Sequence, residues 1–191
     1  AYLLGSQAQQ YGANIFVVDG LLLAILREVS PVIVAVLVAG RTGAAITAQI
    51  GTMKVTEEID AITTLGLSPL AVLVIPRILA LVLALPLLVF IGDISGMAGG
   101  MLVTQVQLDI SYYMFMDRVS DVLVLKTLLV GLGKAPVFAI FIALIACRMG
   151  LTVTRDARSV GANTTSTVVQ SLVAIILLNA IFAIMFVELE I

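Results

Sequence analysis

The sequence predicts an all-α integral membrane protein, and three observations indicate this fold class. First, 61% of the 191 residues are hydrophobic and 12% are charged, with a mean hydropathy of +1.20, whereas soluble domains are roughly 45–50% apolar and about 25% charged. Second, four stretches are apolar and long enough to cross a bilayer at about 20 residues per helix. Third, these stretches lack the period-two alternation of barrel strands, so membrane-spanning helices are expected.

The four predicted spans are, in order, about 15–40, 70–103, 123–147 and 167–187. The second span is too long for one straight crossing, so it is expected to tilt, to kink at Pro76 or Pro86, or to extend beyond the membrane. Lys and Arg concentrate in the connections 41–69 and 148–166. The positive-inside rule therefore places both connections in the cytoplasm and the C-terminus on the opposite side.

The 41–69 connection contains a predicted amphipathic helix over 53–67 that ends near Gly66 and Pro69. Its apolar residues recur at helical spacing: Val55, Ile59 and Ile62. The charged residues on the rest of its surface are Lys54, Glu57, Glu58 and Asp60. Because anionic lipid headgroups attract Lys and Arg, the acidic run favours docking to a protein partner over lying on the membrane.

Two charged residues lie near the middle of the first span. Arg27 and Glu28 each cost at least about 2.5–3.5 kcal/mol at this depth. Adjacent residues point about 100° apart on an α-helix, so the two are not expected to form one compact pair. Lys134, near the middle of the third span, is the obvious opposite charge for Glu28. Such charges either lock helices together or mark a substrate path, and the second interpretation is favoured.

Three other features of the apolar spans have structural interpretations, and a fourth has none. Gly92, Gly96 and Gly100 recur every fourth residue, which predicts a smooth helix face for close helix packing and also fits a dimer contact. Arg77 is expected to snorkel to the cytoplasmic interface as an anchor. Cys147 is expected to act as a small apolar residue, whereas the residue pattern assigns Asp93 no role.

Several classes of function are excluded by the composition. The sequence has no histidine, so His-based catalysis and His-ligated zinc sites are impossible, and its net charge of −2 offers no basic patch for nucleic acid. Gly131, Gly133 and Lys134 do not form a phosphate-binding loop, because Ala135 follows the lysine within an apolar run. The chain is therefore expected to carry no catalytic residues, metal or cofactor, and any ATP-driven activity needs a separate ATPase subunit.

The run LREVSPVIVAVLVAGRTGAAITAQIGTMKVTEEIDAITTLGLSPLAVLVIPRILA, residues 26–80, closely resembles the MlaE/YrbE permease family. These proteins are the membrane subunits of ABC transporters that move phospholipids across the Gram-negative envelope. The resemblance continues through PLLVFIGDISGMAGG (86–100) and Lys134 to Ser171. It implies that 1–191 is one permease domain with four complete spans, a coupling helix within 41–69, and the stub of a preceding helix up to about Asn14. The chain, which begins without Met, is expected to lack the family's N-terminal portion.

The resemblance also implies partners, location and site residues. It implies a homodimer in the bacterial inner membrane, with a cytoplasmic ATPase that binds ATP and Mg²⁺, a STAS-domain subunit and a periplasmic MCE-domain ring. Transport by this assembly would contribute to outer-membrane lipid asymmetry. Residues assigned to the phospholipid are Arg27 at the phosphate, Glu28 as an orienting or gating group, Leu22, Leu23 and Leu26 along the acyl chains, and Lys134. Residues assigned to ATPase coupling are Lys54, Glu57, Glu58 and Asp60.

The sequence departs from the family at three positions. Gln49 stands where a carboxylate is usual, Asn179 where aspartate is usual, and Ser68 where aspartate is common, so roles that need charge there do not transfer. Two alternative functions remain. An ion-coupled secondary transporter would use Glu28 and Lys134 as a relay, but no inverted repeat relates the two halves of the chain. A structural scaffold leaves the cost of Arg27 and Glu28 unexplained.

Overall fold

The computed structural model describes residues 14–108, 111–122, 125–154 and 156–188, and within these ranges the regular secondary structure is entirely helical. The α-helices are α1 (Asn14–Ala24), α2 (Ser30–Val38), α3 (Ala44–Val55), α4 (Glu58–Thr64), α5 (Ile75–Leu108), α6 (Tyr112–Val122), α7 (Leu125–Leu151) and α8 (Ala157–Glu188). Three π-helical turns adjoin them, at Ile25–Val29, Ala39–Gly43 and Leu70–Val74. The predicted stub over 1–13 lies outside the described residues.

Four helical stretches are long and apolar enough to cross a membrane. They are Val18–Val55, Leu70–Val106, Thr127–Leu151 and Ala157–Phe186. The prediction of an all-α, multi-pass membrane protein is therefore confirmed. The rest of the chain buries 11% of the apolar stretch in Ala157–Phe186, less than in the other three. Most of that span therefore faces lipid or other protein chains.

The helix that contains the first predicted span continues beyond residue 40 to Val55. Two glycines in the continuation of this helix are positions of close helix contact. A Cβ at Gly43 would meet Ile142 at 3.4 Å, and one at Gly51 would meet Val153 at 2.9 Å. The 38 residues of Val18–Val55 extend about 57 Å at 1.5 Å per residue, almost twice the hydrocarbon thickness of about 30 Å.

The helices of the other three predicted spans also continue past a predicted bound. The second is helical from Leu70 to Leu108, with Pro86 inside α5, and α7 ends at Leu151 rather than at 147. The largest difference is α8, which begins at Ala157 instead of 167. Its polar first turns are anchored to the preceding segment, because Asn163 donates a hydrogen bond to the Met149 carbonyl at 2.9 Å.

The coupling segment differs from the single amphipathic helix predicted over 53–67. Val55 belongs to α3, and the chain then turns at Glu57, whose φ of 62° lies in the left-handed region. The short helix α4 follows, and Gly66 at φ 77° ends this segment before the next span. Gly adopts such values without the steric cost that a side chain adds. At Glu57 the turn has local hydrogen bonds, since the Glu57 N–H donates to the Lys54 carbonyl at 3.3 Å and the Ala61 N–H donates to the Glu57 carbonyl at 3.1 Å.

Helix α6 is an element that the sequence interpretation left as a connection. Its apolar residues include Tyr112, Phe115, Met116 and Val119, at positions i, i+3, i+4 and i+7, whereas Asp117 and Arg118 fall between them. This spacing is typical of an amphipathic helix and could have predicted it.

The described chain divides into two compact units, and each is considered by itself. Unit 1 comprises Ala1–Pro31 and Leu88–Gly133. Its core contains Val18 and Leu22 of α1 and Phe115 of α6, each at most 2% exposed. Helix α5 approaches α1 and the π-helical turn after it at two glycines. A Cβ at Gly96 would meet Ile25 at 2.8 Å, and a Cβ at Gly100 would meet Leu21 at 2.7 Å. These are two of the three glycines predicted for helix packing.

Unit 2 comprises Val32–Leu87 and Lys134–Ile191. Buried Thr47 of α3 joins two neighbouring helices, because its hydroxyl donates to the Ala146 carbonyl of α7 at 3.0 Å and lies 2.8 Å from the Thr167 hydroxyl of α8. A Cβ at Gly150 would meet Ile50 at 2.7 Å. Small residues and hydroxyl hydrogen bonds thus hold α3, α7 and α8 together, as is common between membrane helices.

Candidate functional site

Arg27 and Glu28 lie in the π-helical turn Ile25–Val29, between α1 and α2 in unit 1. Arg27 Nε is 3.8 Å from Glu28 Oε1, and the two side chains are 31% and 35% exposed. The two neighbours thus make an ion pair, whereas the α-helical angle predicted that they would not form one compact pair. The separation is within ion-pair range but longer than a hydrogen bond of about 2.7–3.2 Å, and both groups remain accessible.

Pro31 explains why the helix widens at this pair. Because proline has no N–H, the carbonyl of Arg27, four residues earlier, cannot receive the regular α-helical hydrogen bond. The Ser30 N–H instead bonds to the Ile25 carbonyl, five residues back. The wider turn changes the angle between the Arg27 and Glu28 side chains. The prediction had assumed the angle of a regular α-helix, about 100°. Such π-helical insertions occur frequently at functional sites.

The apolar residues assigned to the acyl chains have different environments. Leu22 and Leu26 are each 1% exposed and pack within the protein, whereas Leu23 is 42% exposed. Val29, which the sequence interpretation did not select, is 44% exposed beside the ion pair. An apolar ligand near Arg27 would thus meet Leu23 and Val29 without displacing other side chains.

A second polar group of unit 1 lies beside the π-helical turn. The Ser30 hydroxyl donates a hydrogen bond to the Val89 carbonyl of α5 at 3.4 Å. One turn further along α5, Asp93 is 1% exposed, and Ser30 is a side-chain hydrogen-bond partner of its carboxyl group. The residue pattern had assigned Asp93 no role, and its burial within unit 1 excludes a position at an exposed interface.

Lys134, assigned to the substrate and to a pair with Glu28, is fully buried in unit 2. Its Nζ donates a hydrogen bond to Asn179 Oδ1 at 3.4 Å and lies 5.4 Å from the centroid of the Phe186 ring. Phe186 stacks on Phe182 at 5.8 Å, and Phe182 meets Phe138 edge-on at 6.1 Å. The ammonium thus has an amide and an aromatic face among its partners. The pair with Glu28 stays a prediction.

Sequence spacing could have found the aromatic partners of Lys134. Asn179, Phe182 and Phe186 occur at i, i+3 and i+7 on α8, which puts them on one helix face. Asn179 attracted notice only as a departure from the expected aspartate. An amide at this position supplies a neutral acceptor for Lys134, so the contact does not require a carboxylate.

The three acidic residues that the sequence analysis assigned to ATPase coupling lie on the surface, whereas the assigned lysine is partly buried. Glu57, Glu58 and Asp60 are exposed around α4. Lys54, in contrast, donates a hydrogen bond to the Leu151 carbonyl at the C-terminal end of α7. A lysine there complements the free carbonyls and negative end of the helix dipole. The acidic surface continues into exposed Leu65 (76%) and Leu67 (52%).

Three further positions complete the comparison with the sequence predictions. Gly131, Gly133 and Lys134 lie inside α7 rather than in a loop, in line with the rejection of a nucleotide site. Within the described residues no group of His, Cys, Asp or Glu could hold a metal ion. Arg77 Nη1 is buried without a hydrogen-bond partner in the described part of the chain, which snorkelling to an interface does not explain.

Residues 1–185 of the chain match the family model described as permease MlaE. The chain is 41% identical over 169 residues to a probable ABC transporter permease protein of Synechocystis sp., covering 88% of this chain and 64% of the relative. A probable ABC transporter permease protein of Rickettsia typhi is 39% identical over 89% of this chain and 66% of its own length. Protein trigalactosyldiacylglycerol 1, chloroplastic, of Arabidopsis thaliana is 38% identical over 90% of this chain and 49% of its own length. The chain thus spans slightly less than two thirds of the bacterial relatives.

Proposed function

The chain belongs to the MlaE permease family, and from this premise we propose that it forms the membrane subunit of an ABC transporter that moves phospholipids. The Arabidopsis relative, whose name is that of a diacylglycerol lipid, supports a glycerolipid substrate. The proposed substrate has an anionic phosphate and long apolar chains. Both parts have matching groups in unit 1.

The observation that carries the proposal is the accessible Arg27–Glu28 pair within an apolar span. A guanidinium binds phosphate through two parallel, charge-assisted hydrogen bonds. Since the Arg27 side chain is about one third exposed, a phosphate can approach its guanidinium from outside the protein. The exposed Leu23 and Val29 flank the pair and offer contact to the chains.

Glu28 has the second role in this proposal. A carboxylate beside the guanidinium offsets its charge in the apolar span when no lipid is bound. When a phosphate approaches, the two anions repel, so the carboxylate must turn away or release the guanidinium. Glu28 thereby couples occupancy of the site to a change in local charge pairing, which suits a substrate that must be bound and then released.

ATP hydrolysis in this proposal belongs to a cytoplasmic partner, since ABC permeases work with a separate ATPase. The acidic surface of Glu57, Glu58 and Asp60 supports docking of that subunit at α4. The finer assembly follows the family resemblance: a homodimer in the bacterial inner membrane, a STAS-domain subunit, a periplasmic MCE-domain ring, and a periplasmic C-terminus. Delivery of lipid through this assembly would contribute to outer-membrane lipid asymmetry.

The test uses the full-length permease with Arg27→Ala, purified in mild detergent with its partners. Loss of a charge-assisted hydrogen bond worth about 1.5–3 kcal/mol should lower phospholipid co-purification roughly 10- to 100-fold. The control is Arg148→Ala, which removes an exposed arginine near the end of α7. An unchanged lipid yield in the Arg27 variant would refute the phosphate role. Transport that continues without ATP but stops when the proton gradient collapses would instead favour the ion-coupled transporter.

A further inference from the structure

An apolar crevice lies between α5 and α6 in unit 1, apart from the Arg27–Glu28 pair. Its volume is about 260 Å³. The side chains that line it are Ile94, Met97, Ala98 and Met101 from α5, and Tyr112, Phe115, Met116 and Val119 from α6. All belong to unit 1.

The crevice has a buried floor and an open rim. Phe115 at the floor is 2% exposed and packs against Val18 and Leu22 of α1. Around the rim, Ile94, Tyr112 and Met116 are 49%, 48% and 46% exposed. A ligand can therefore enter from the surface without unfolding either helix.

The lining chemistry selects hydrocarbon. None of the eight side chains carries a charge, and the Tyr112 hydroxyl is the single polar side-chain group of the lining. Three methionines adapt their shape to an irregular apolar ligand more readily than branched residues do. The volume lies below the roughly 300–1,000 Å³ of whole-ligand pockets, so the crevice suits a segment of one chain rather than a complete lipid.

The floor of the crevice packs against α1, the helix that leads to the candidate phosphate site. Leu22, which contacts the crevice floor, lies five positions before Arg27, or about 7.5 Å along an α-helix. One leaflet of the hydrocarbon core is about 15 Å deep. A phospholipid whose phosphate contacts Arg27 can therefore extend one chain as far as the crevice.

We propose that the α5–α6 crevice binds a segment of one acyl chain of the transported phospholipid. The inference rests on the proposed function and adds a chain-binding subsite to it. Binding there separates one chain from the surrounding bilayer, so the permease recognises a chain as well as a headgroup. Each methylene group buried in the crevice strengthens binding by a factor of about four.

The test measures photolabelling of the full-length permease in nanodiscs. The probe is a phosphatidylethanolamine with a diazirine near the end of one acyl chain, present at increasing mole fractions. Labelling of Met97, Met101 and Met116 should saturate at low mole fraction. Labelling of the exposed α8 residues Ile176 and Ile181, which report bulk lipid, should rise in proportion to the probe.

Ala98→Phe places a large side chain in the crevice from an exposed position. It should raise the mole fraction of probe at half saturation at least about tenfold, because it excludes roughly two methylene groups. The matched control is Ala84→Phe, an exposed alanine on the same helix outside the crevice, which should leave saturation unchanged. Thermal unfolding of both variants checks that they are folded.

Two results would overturn the subsite. Labelling of the crevice that never saturates would mean contact with bulk lipid alone. A disulfide-linked dimer of Ala98→Cys, made in a Cys147→Ser background, together with weak probe labelling, would assign the crevice to a second copy of the chain.

ATP-dependent phospholipid transport is measured on the same samples. Transport without saturable labelling of the crevice refutes only the subsite. A wild-type protein that does not transport phospholipid refutes the proposed function.

Discussion

At the scale of single residues, two neighbouring glycines of α7 have opposite surroundings. A Cβ at Gly131 would collide with the Leu26 carbonyl oxygen and lie 3.6 Å from Pro31, whereas one at Gly133 would have no atom within 4 Å. Gly131 thus permits backbone contact between α7 and the π-helical turn that holds Arg27. The close approach, rather than conformational freedom, explains glycine at this position.

Alanine substitution separates these two surroundings. Gly131→Ala should destabilise the protein by about 1–3 kcal/mol, since the clash is with rigid backbone. Gly133→Ala should leave stability unchanged or raise it by up to about 1 kcal/mol, because alanine favours the helix. The measurement is thermal unfolding in detergent. Equal stability of the two variants would show that α7 does not approach Leu26 so closely.

At the scale of helices, two of the π-helical turns share a cause that the sequence makes visible. Ile25–Val29 ends two residues before Pro31, and Leu70–Val74 ends two residues before Pro76. In each case the carbonyl without its regular N–H donor belongs to the central residue of the turn, Arg27 or Val72. Ala39–Gly43 has no such proline, so its π-helical form must depend on packing.

Pro31→Ala should convert the first of these turns towards regular α-helix. The restored N–H allows the regular bond to the Arg27 carbonyl, and a change in register by one residue rotates the preceding helix by about 100° relative to the following one. We expect unfolding stability to stay constant or rise, because proline inside a helix costs about 3 kcal/mol. Phospholipid co-purification should nevertheless fall at least about fivefold.

The control for this prediction is Pro86→Ala, which changes a proline inside α5 where the helix keeps its α form. Lipid yield should not change there. If Pro31→Ala also retained its lipid, the π-helical turn would have no role in presenting Arg27, and the candidate site would depend on residue identity alone.

These helices also show what the sequence could predict. Hydropathy located all four spans, because long apolar stretches have few alternatives to helix in a bilayer. It did not predict that the first of these helices continues to Val55, since the contacts of Gly43 and Gly51 with distant residues are not visible in the sequence. The Arg27–Glu28 pair was missed because its angle depends on local π-helical geometry. The contact of Lys134 with Asn179 joins residues 45 positions apart, which spacing within one helix cannot reveal.

At the scale of the whole molecule, the charged residues fall into separate groups with different environments. Arg27 and Glu28 are accessible within unit 1, whereas Lys134 is buried in unit 2. The acids Glu57 and Glu58 are exposed near a break in the helix. A permease that responds to an external ATPase needs accessible polar groups inside a span to bind its substrate. It also needs a charged surface outside the span to bind the ATPase.

The acidic surface leads to a prediction about assembly. Glu57→Lys combined with Glu58→Lys should weaken binding of the ATPase subunit at least about tenfold, because reversed charges remove electrostatic complementarity at the interface. The permease itself should stay folded, since both side chains are exposed and lysine meets the left-handed φ of 62° at position 57 no worse than glutamate does. Co-purification of the ATPase with the full-length permease measures the effect.

The matched control is Asp117→Lys combined with Glu188→Lys. It makes the same change in charge at exposed positions of α6 and α8, which the positive-inside rule places on the opposite side of the membrane. The ATPase should co-purify normally with this variant. Retention of the ATPase by the Glu57/Glu58 variant would contradict docking at α4. Loss in both variants would contradict the topology, because charge on the far side should not reach a cytoplasmic partner beyond a Debye length of about 8 Å.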